Sequence, residues 1–227
     1  MIKQSSAGTI VTTPPVEKPI TLKEVKEELF LSGNSSFDNQ LRRYIDIAID
    51  WAQTYTGLFL ITQSVEYKLN HFPYYEHAGV LSAGFIGSYP QQGEGPPPIK
   101  MWPAPVQSVD QISYILKDNT TTVVLGASSY YLTAGGRIDG PAINLASGSV
   151  WPSQGLREQE AITITAVVGY GDTAADVPES IKEALRKFVA YLFTNRSTCD
   201  HGGKSSESIA QTCGAMALLR PYMRIVL

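Results

Sequence analysis

Three histidines, two cysteines and a few adjacent carboxylates are the residues of this 227-residue chain whose types could do chemistry. His71 and His77, with Glu76 beside the second, have the donors of a zinc site. Their spacing is not that of a helical His-Glu-x-x-His pair, and both sit in a stretch rich in Pro and Gly. Cys199 and His201 lack further ligands at metal spacing and read as loop residues. Glu27/Glu28 and Glu158/Glu160 read as solvated carboxylates rather than an acid–base pair. The run Gly169–Asp172 (GYGD) has neither a P-loop lysine nor a dinucleotide fingerprint, and is expected to end a strand and turn into a helix. No Gly-x-Ser-x-Gly elbow is present. With no nucleophile near a base and no ligand cluster, the chain is expected not to be an enzyme and to need no metal or cofactor.

Composition points to a well-packed, weakly charged protein. Hydrophobic residues make up 43% and charged residues 17%, below the usual quarter. The net charge of −3 argues against a broad basic face that grips nucleic acid, but not against one past which nucleic acid slides. Two cysteines do not make a disulfide framework, and two free thiols in a cytosolic protein are expected. The N-terminal MIKQSSAGTIVTTPPVEKP has no apolar core of signal-peptide length, and no run approaches the ~20 apolar residues that span a bilayer. A soluble chain made in the cytoplasm, without a membrane partner, is expected.

The periodicities divide the chain into helical ends and a β-rich middle. Residues 1–19 read as an extended arm, since Pro14, Pro15 and Pro19 disfavour helix. Thr21 and Glu24 have capping-box spacing, Ile20 and Val25 that of a hydrophobic staple, and Leu22, Val25 and Leu29 form a stripe. Asp38 is expected to cap a longer helix with Leu41, Tyr44, Ile45, Ala48, Trp51, Ala52 and Tyr55 on its stripe, ended by Gly57. From Ile61 the period becomes two, with strands expected at 61–70, 99–102, 109–116, 121–125, 130–133, 142–145 and 161–168, in a small sandwich or barrel. Pro178 suits the first turn of a helix carrying Ile181, Ala184, Leu185, Phe188, Val189 and Leu192 inward and Lys182, Arg186 and Lys187 outward. One last helix is expected over 209–219. The predicted class is α+β: a helical body from 20–58 and 169–220, and an antiparallel β lobe inserted at 59–168.

Several apolar residues have no place in that plan. Ile47 and Ile49 lie off the helical stripe, which suits a helix buried on more than one side. The stretch 73–98 is long for a loop and carries Tyr74, Tyr75, Phe85, Ile86 and Tyr89, an expected contact surface. Beyond Pro221, residues 221–227 read as a docking tail, with Ile225, Val226 and Leu227 suited to strand addition or groove insertion. An alternative is a non-catalytic β lobe that binds a peptide or glycan through Trp102, Trp151 and the tyrosines. Each tryptophan precedes a proline, which reads more as strand-end packing.

Four stretches in this order resemble the head–tail connector proteins of long-tailed bacteriophages, also called adaptor or head-completion proteins. They are VTTPPVEKPITLKEVKEEL with DNQLRRYIDIAIDWAQTYTGLFLITQSVEYKLNHFP, then IKMWPAPVQSVDQISYI, then ITAVVGYGDTAADVPESIKEALRKFVAYLFTNR, and finally ALLRPYMR. The resemblance covers most of the chain. It implies a structural virion protein at the capsid–tail neck, in a homo-oligomeric ring, usually dodecameric, that docks on the portal. The ring would extend the channel through which genomic DNA passes unbound, and carry the next neck, stopper or tail-completion protein. It implies portal docking by Tyr222, Met223, Arg224, Ile225, Val226 and Leu227, and leaves Ile47, Ile49 and the 73–98 aromatics for contacts with subunits or neck partners. Two departures stand out: the 73–98 stretch is longer than in typical relatives, and three residues run past the usual ending.

Overall fold

The computed structural model describes residues 2–3, 6–75, 96–101, 105–135, 140–153, 155–195 and 206–223. Its strands are β1 (Ile2–Lys3), β2 (Ser6–Thr13), β3 (Gln63–Leu69), β4 (Tyr74–Tyr75), β5 (Ile99–Lys100), β6 (Val106–Ile115), β7 (Thr122–Val124), β8 (Tyr130–Thr133), β9 (Ala142–Leu145) and β10 (Ile162–Val168). Its α-helices are α1 (Leu22–Glu28), α2 (Asp38–Thr56), α3 (Glu179–Thr194), α4 (Ser206–Thr212) and α5 (Ala215–Leu219). The fold is α+β, in two compact units. The first takes Met1–Pro14 and Gln63–Val168, the second Pro15–Thr62 and Gly169–Leu227.

The β unit is built on an open five-stranded antiparallel sheet of order β2-β3-β10-β6-β7. Alternation in the sequence sets its register. Ile164 lies opposite Tyr67 on one side and Ile112 on the other, and all three are buried. A slip of one residue would turn this whole set to the other face, so burial specifies the pairing. On that other face Lys68 donates to the Thr163 hydroxyl (3.0 Å) and pairs with Glu66 (2.6 Å). A second sheet of order β5-β9-β8 places buried Ile99 opposite buried Ile143.

In the helical unit the Thr21–Glu24 capping box forms, and Ile20 and Val25 are both buried as a staple requires. The helices α2 and α3 meet through aromatic rings. Trp51 stacks on Phe188 (4.7 Å between centroids), and Phe37 meets Phe193 edge-on at 5.3 Å. Fully burying Phe188 contributes about 3 kcal/mol. Gly57 ends α2 in the left-handed conformation (φ 68°). Just beyond, two passes of the chain lie side by side: Tyr170 N–H donates to the Leu60 carbonyl (3.3 Å) and Thr62 N–H to that of Gly171 (2.9 Å).

Several sequence expectations need correction. Residues 6–13 are not a separate arm: β2 pairs with β3 and forms one edge of the five-stranded sheet. That sheet is open, not a barrel, because β2 and β7 are its two edges. Asp38 is the first residue of α2 rather than its cap, and its carboxylate pairs with Lys26 at 2.8 Å. Phe193 is buried in place of Leu192 because Phe37 covers it. Lys182 and Arg186 lie down on α3, held by Glu179 and Glu183, so their stems are half-buried. The last helix is two, broken at Gly214 (φ 76°). Gly169 (φ 122°) has no space for a side chain, since an added Cβ would lie 2.6 Å from the backbone of Ile61 and Thr62. Gly169→Ala is therefore expected to lower the unfolding free energy by about 3 kcal/mol or more, read from urea denaturation.

Candidate docking surfaces

Up to Met223, the last described residue, the C-terminal segment forms a compact corner. After α5 a 3-10 turn covers Arg220–Tyr222, with Pro221 inside it. The Tyr222 and Ser180 hydroxyls are 2.6 Å apart, which ties this turn to the start of α3. Burial first, and then the neighbouring Tyr222, push the Tyr170 phenol up to about 12. Of the six residues expected to dock, Tyr222 and Met223 are half-buried, and Arg224, Ile225, Val226 and Leu227 lie outside the described residues.

The other expected contact residues divide similarly. Ile47 is 50% exposed on the outer face of α2 and Ile49 is half-buried. One turn before Ile47 stands Arg43, also exposed, with Arg42 beside it. Neither arginine has an ion pair among the described residues. Tyr74 is 39% exposed, with its ring 5.2 Å from that of His71. The short strand β4 pairs with β1, placing Tyr75 opposite Ile2 and Tyr74 opposite Lys3. Glu76, His77, Phe85, Ile86 and Tyr89 lie outside the described residues, as do Trp102, Cys199 and His201.

Among the exposed apolar residues that the sequence did not single out, Phe30 has the largest side chain in a strained backbone position. Phe30 follows α1 and is 95% exposed, with φ at 55°. The end of α1 is a Schellman turn: Leu31 N–H donates to the Lys26 carbonyl (2.8 Å) and Phe30 N–H to that of Glu27 (3.2 Å). The left-handed position of this turn normally holds glycine, because a Cβ there costs about 1–2 kcal/mol. A groove beside it is lined by Glu24, Glu27, Glu28, Phe30, Glu183 and Arg186. The sequence signal was weak: one aromatic residue after the Leu22–Val25–Leu29 stripe, just before Ser32-Gly33.

Other candidates are occupied by structural work. Trp151 donates its indole N–H to the Pro97 carbonyl (2.8 Å) and stacks on Phe72 at 5.2 Å, so neither its donor nor that ring face is offered to a sugar. Arg157 donates to the Gln159 (2.8 Å) and Glu160 (2.6 Å) carbonyls and braces a loop. The His71 Nδ1–H donates to the Phe72 carbonyl at 3.0 Å. Among the described residues, no group of three or more His, Cys, Asp or Glu could hold a metal ion, and no helix is long and apolar enough to cross a membrane.

No protein-family model and no curated protein matches the sequence. Solved structures do match the fold over nearly all of the chain. A chain in the neck of the empty gene transfer agent (GTA) particle, computed with C6 symmetry, aligns with a TM-score of 0.69 and 15% identity, covering 97% of each chain. A chain in the virion of the native GTA particle aligns at 0.64 and 17%, covering 96% of each. A chain in the neck of the native GTA particle, computed with C12 symmetry, aligns at 0.62 and 18%, covering 100% of this chain and 97% of that one. The α+β fold expected from the helical and strand periodicities is therefore shared with chains of virion necks.

Two outcomes are expected from this geometry. The raised Tyr170 phenol favours the protonated folded state. Its contribution is complete below pH about 10 and is lost as pH rises through about 12. Alkaline unfolding followed by circular dichroism should show this loss, and Tyr170→Phe should remove it. Phe30→Gly should raise the unfolding free energy by about 1 kcal/mol, read from the denaturation midpoint, because glycine relieves the left-handed strain.

Proposed function

We propose that this chain is a structural neck protein of a phage-like virion, a head–tail connector (adaptor) subunit that works as one of a ring of copies. The end-to-end likeness to neck chains, 97% of both lengths at a TM-score of 0.69, carries this reading. The C6 and C12 symmetries of two such particles support a ring, with twelve copies the expected number. The chemistry of the chain agrees with it. Its polar clusters are spent on caps, braces and ion pairs, while exposed apolar residues remain on both units.

In this reading the ring docks on the portal through Tyr222–Leu227, extends the DNA channel, and carries the next stopper or tail-completion protein. A channel wall must not hold DNA. Phosphate binding needs arrays of Lys and Arg that release counterions, and a chain of net charge −3 is poorly provided with them. Tyr222 then has two roles: its hydroxyl secures the corner to Ser180, and the residues beyond it reach the portal. The stretch 73–98 would supply a contact with a neck neighbour.

Cryo-electron microscopy of particles assembled with this chain tests the reading. The expected map shows a ring of it between portal and tail. A chain absent from the neck, and monomeric when mixed with portal in native mass spectrometry, would overturn it. Deleting residues 225–227 is expected to weaken portal binding while leaving the melting temperature unchanged. Equal portal affinity would remove the tail from the docking role. Deleting residues 79–95 is expected to spare folding and impair particle assembly, read as infectious or transfer-competent titre.

A further inference from the structure

Three local costs meet at the end of α1. Phe30 holds a backbone conformation suited to glycine, at φ 55°. Its ring is 95% exposed. Glu27 and Glu28 sit in the last turn, where the negative end of the helix dipole disfavours carboxylates. Lys26, the one cation of that turn, is taken by Asp38, and Lys23 reaches Glu27 only at 3.9 Å. A site that breaks several local rules together, with no gain inside its own unit, is expected to gain elsewhere.

The same unit holds a complementary surface. On α2, Arg43 and Ile47 are one turn apart and share the outer face. Arg43 has no carboxylate partner among the described residues, and Ile47 is 50% exposed. Guanidinium is suited to both halves of the α1 site: it forks onto carboxylates and stacks on an aromatic face. Ile47 beside it would cover the edge of the ring.

We infer that the end of α1 in one copy docks on the outer face of α2 in the next. Phe30 would lie against Ile47 and Arg43, and Glu27 and Glu28 would pair with Arg43. The contact joins two different patches, so repeated around a closing rotation of more than two copies it makes a ring. The inference rests on the ring reading above and names the subunit contact within it.

Cross-linking of the full chain tests this. With Cys199 and Cys213 replaced by serine, one preparation carries Phe30→Cys and a second Ile47→Cys. A short bismaleimide should join the chains when the two preparations are mixed, and give little product in either alone. Product from the Phe30→Cys chain alone would mean a symmetric contact and overturn the inference. So would the absence of product in the mixture, even if particle maps show a ring; the ring reading would then stand and this contact would not.

Phe30→Asp and Arg43→Glu should each weaken self-association on the order of tenfold or more in sedimentation. Combining Arg43→Glu with Glu28→Arg should restore much of it. Phe30→Gly separates the contact from folding, since it should raise the melting temperature yet lower self-association. Assembly unchanged by both Phe30→Asp and Arg43→Glu would likewise overturn the proposed contact.

Discussion

The helical unit depends on one close passage of backbone past backbone. Residues 60–62 and 169–171 run side by side through two hydrogen bonds, and Gly169 lies where any Cβ would strike Ile61 and Thr62. Roughly a hundred residues of β structure separate these two passes. Bringing them together lets α3 reach α2, and so lets Phe188 lie on Trp51. Closing so long a loop costs chain entropy that grows only slowly with length, so a few well-buried contacts can offset it. The passage must also be narrow, because a spacing wide enough for a side chain would lose both hydrogen bonds.

Several charged groups elsewhere are satisfied locally. Asp176 accepts from the backbone and hydroxyl of Thr173, which holds its carboxyl below the usual range. Glu179 is held below its ordinary value by Lys182 first and then Arg186. Such arrangements stabilise turns and helix ends and leave little reactive character. The end of α1 differs, because its exposed ring is uncovered and its carboxylates meet only the distant Lys23 within the unit. That contrast, more than exposure alone, marks it as a surface meant to be covered.

Much of the fold was legible because its signals are local. The alternation of Val65, Tyr67 and Leu69 specifies a half-buried strand, and Thr21 with Glu24 specifies a helix start. The errors fell where a partner decides. Residues 6–13 are extended by their own preferences, but only β3 makes them a sheet edge. Asp38 had the right type for a cap, yet Lys26 holds it in the first turn of α2. Leu192 and Phe193 were equally apolar on paper, and the edge of Phe37 selected Phe193.

The surfaces divide on the same principle. That Ile47 lies off the core stripe could be read from helical spacing, since periodicity assigns faces. Phe30 could not, because its exposure follows from a left-handed turn that the Leu31–Lys26 hydrogen bond closes. By itself the sequence determined the α+β order, the strand faces and the start of α1, all of which rest on residue type and short spacing. Only the tertiary structure decided where β2 belongs and that Tyr222 is tied to Ser180. These depend on residues tens of positions apart, whose contact energies no local pattern contains.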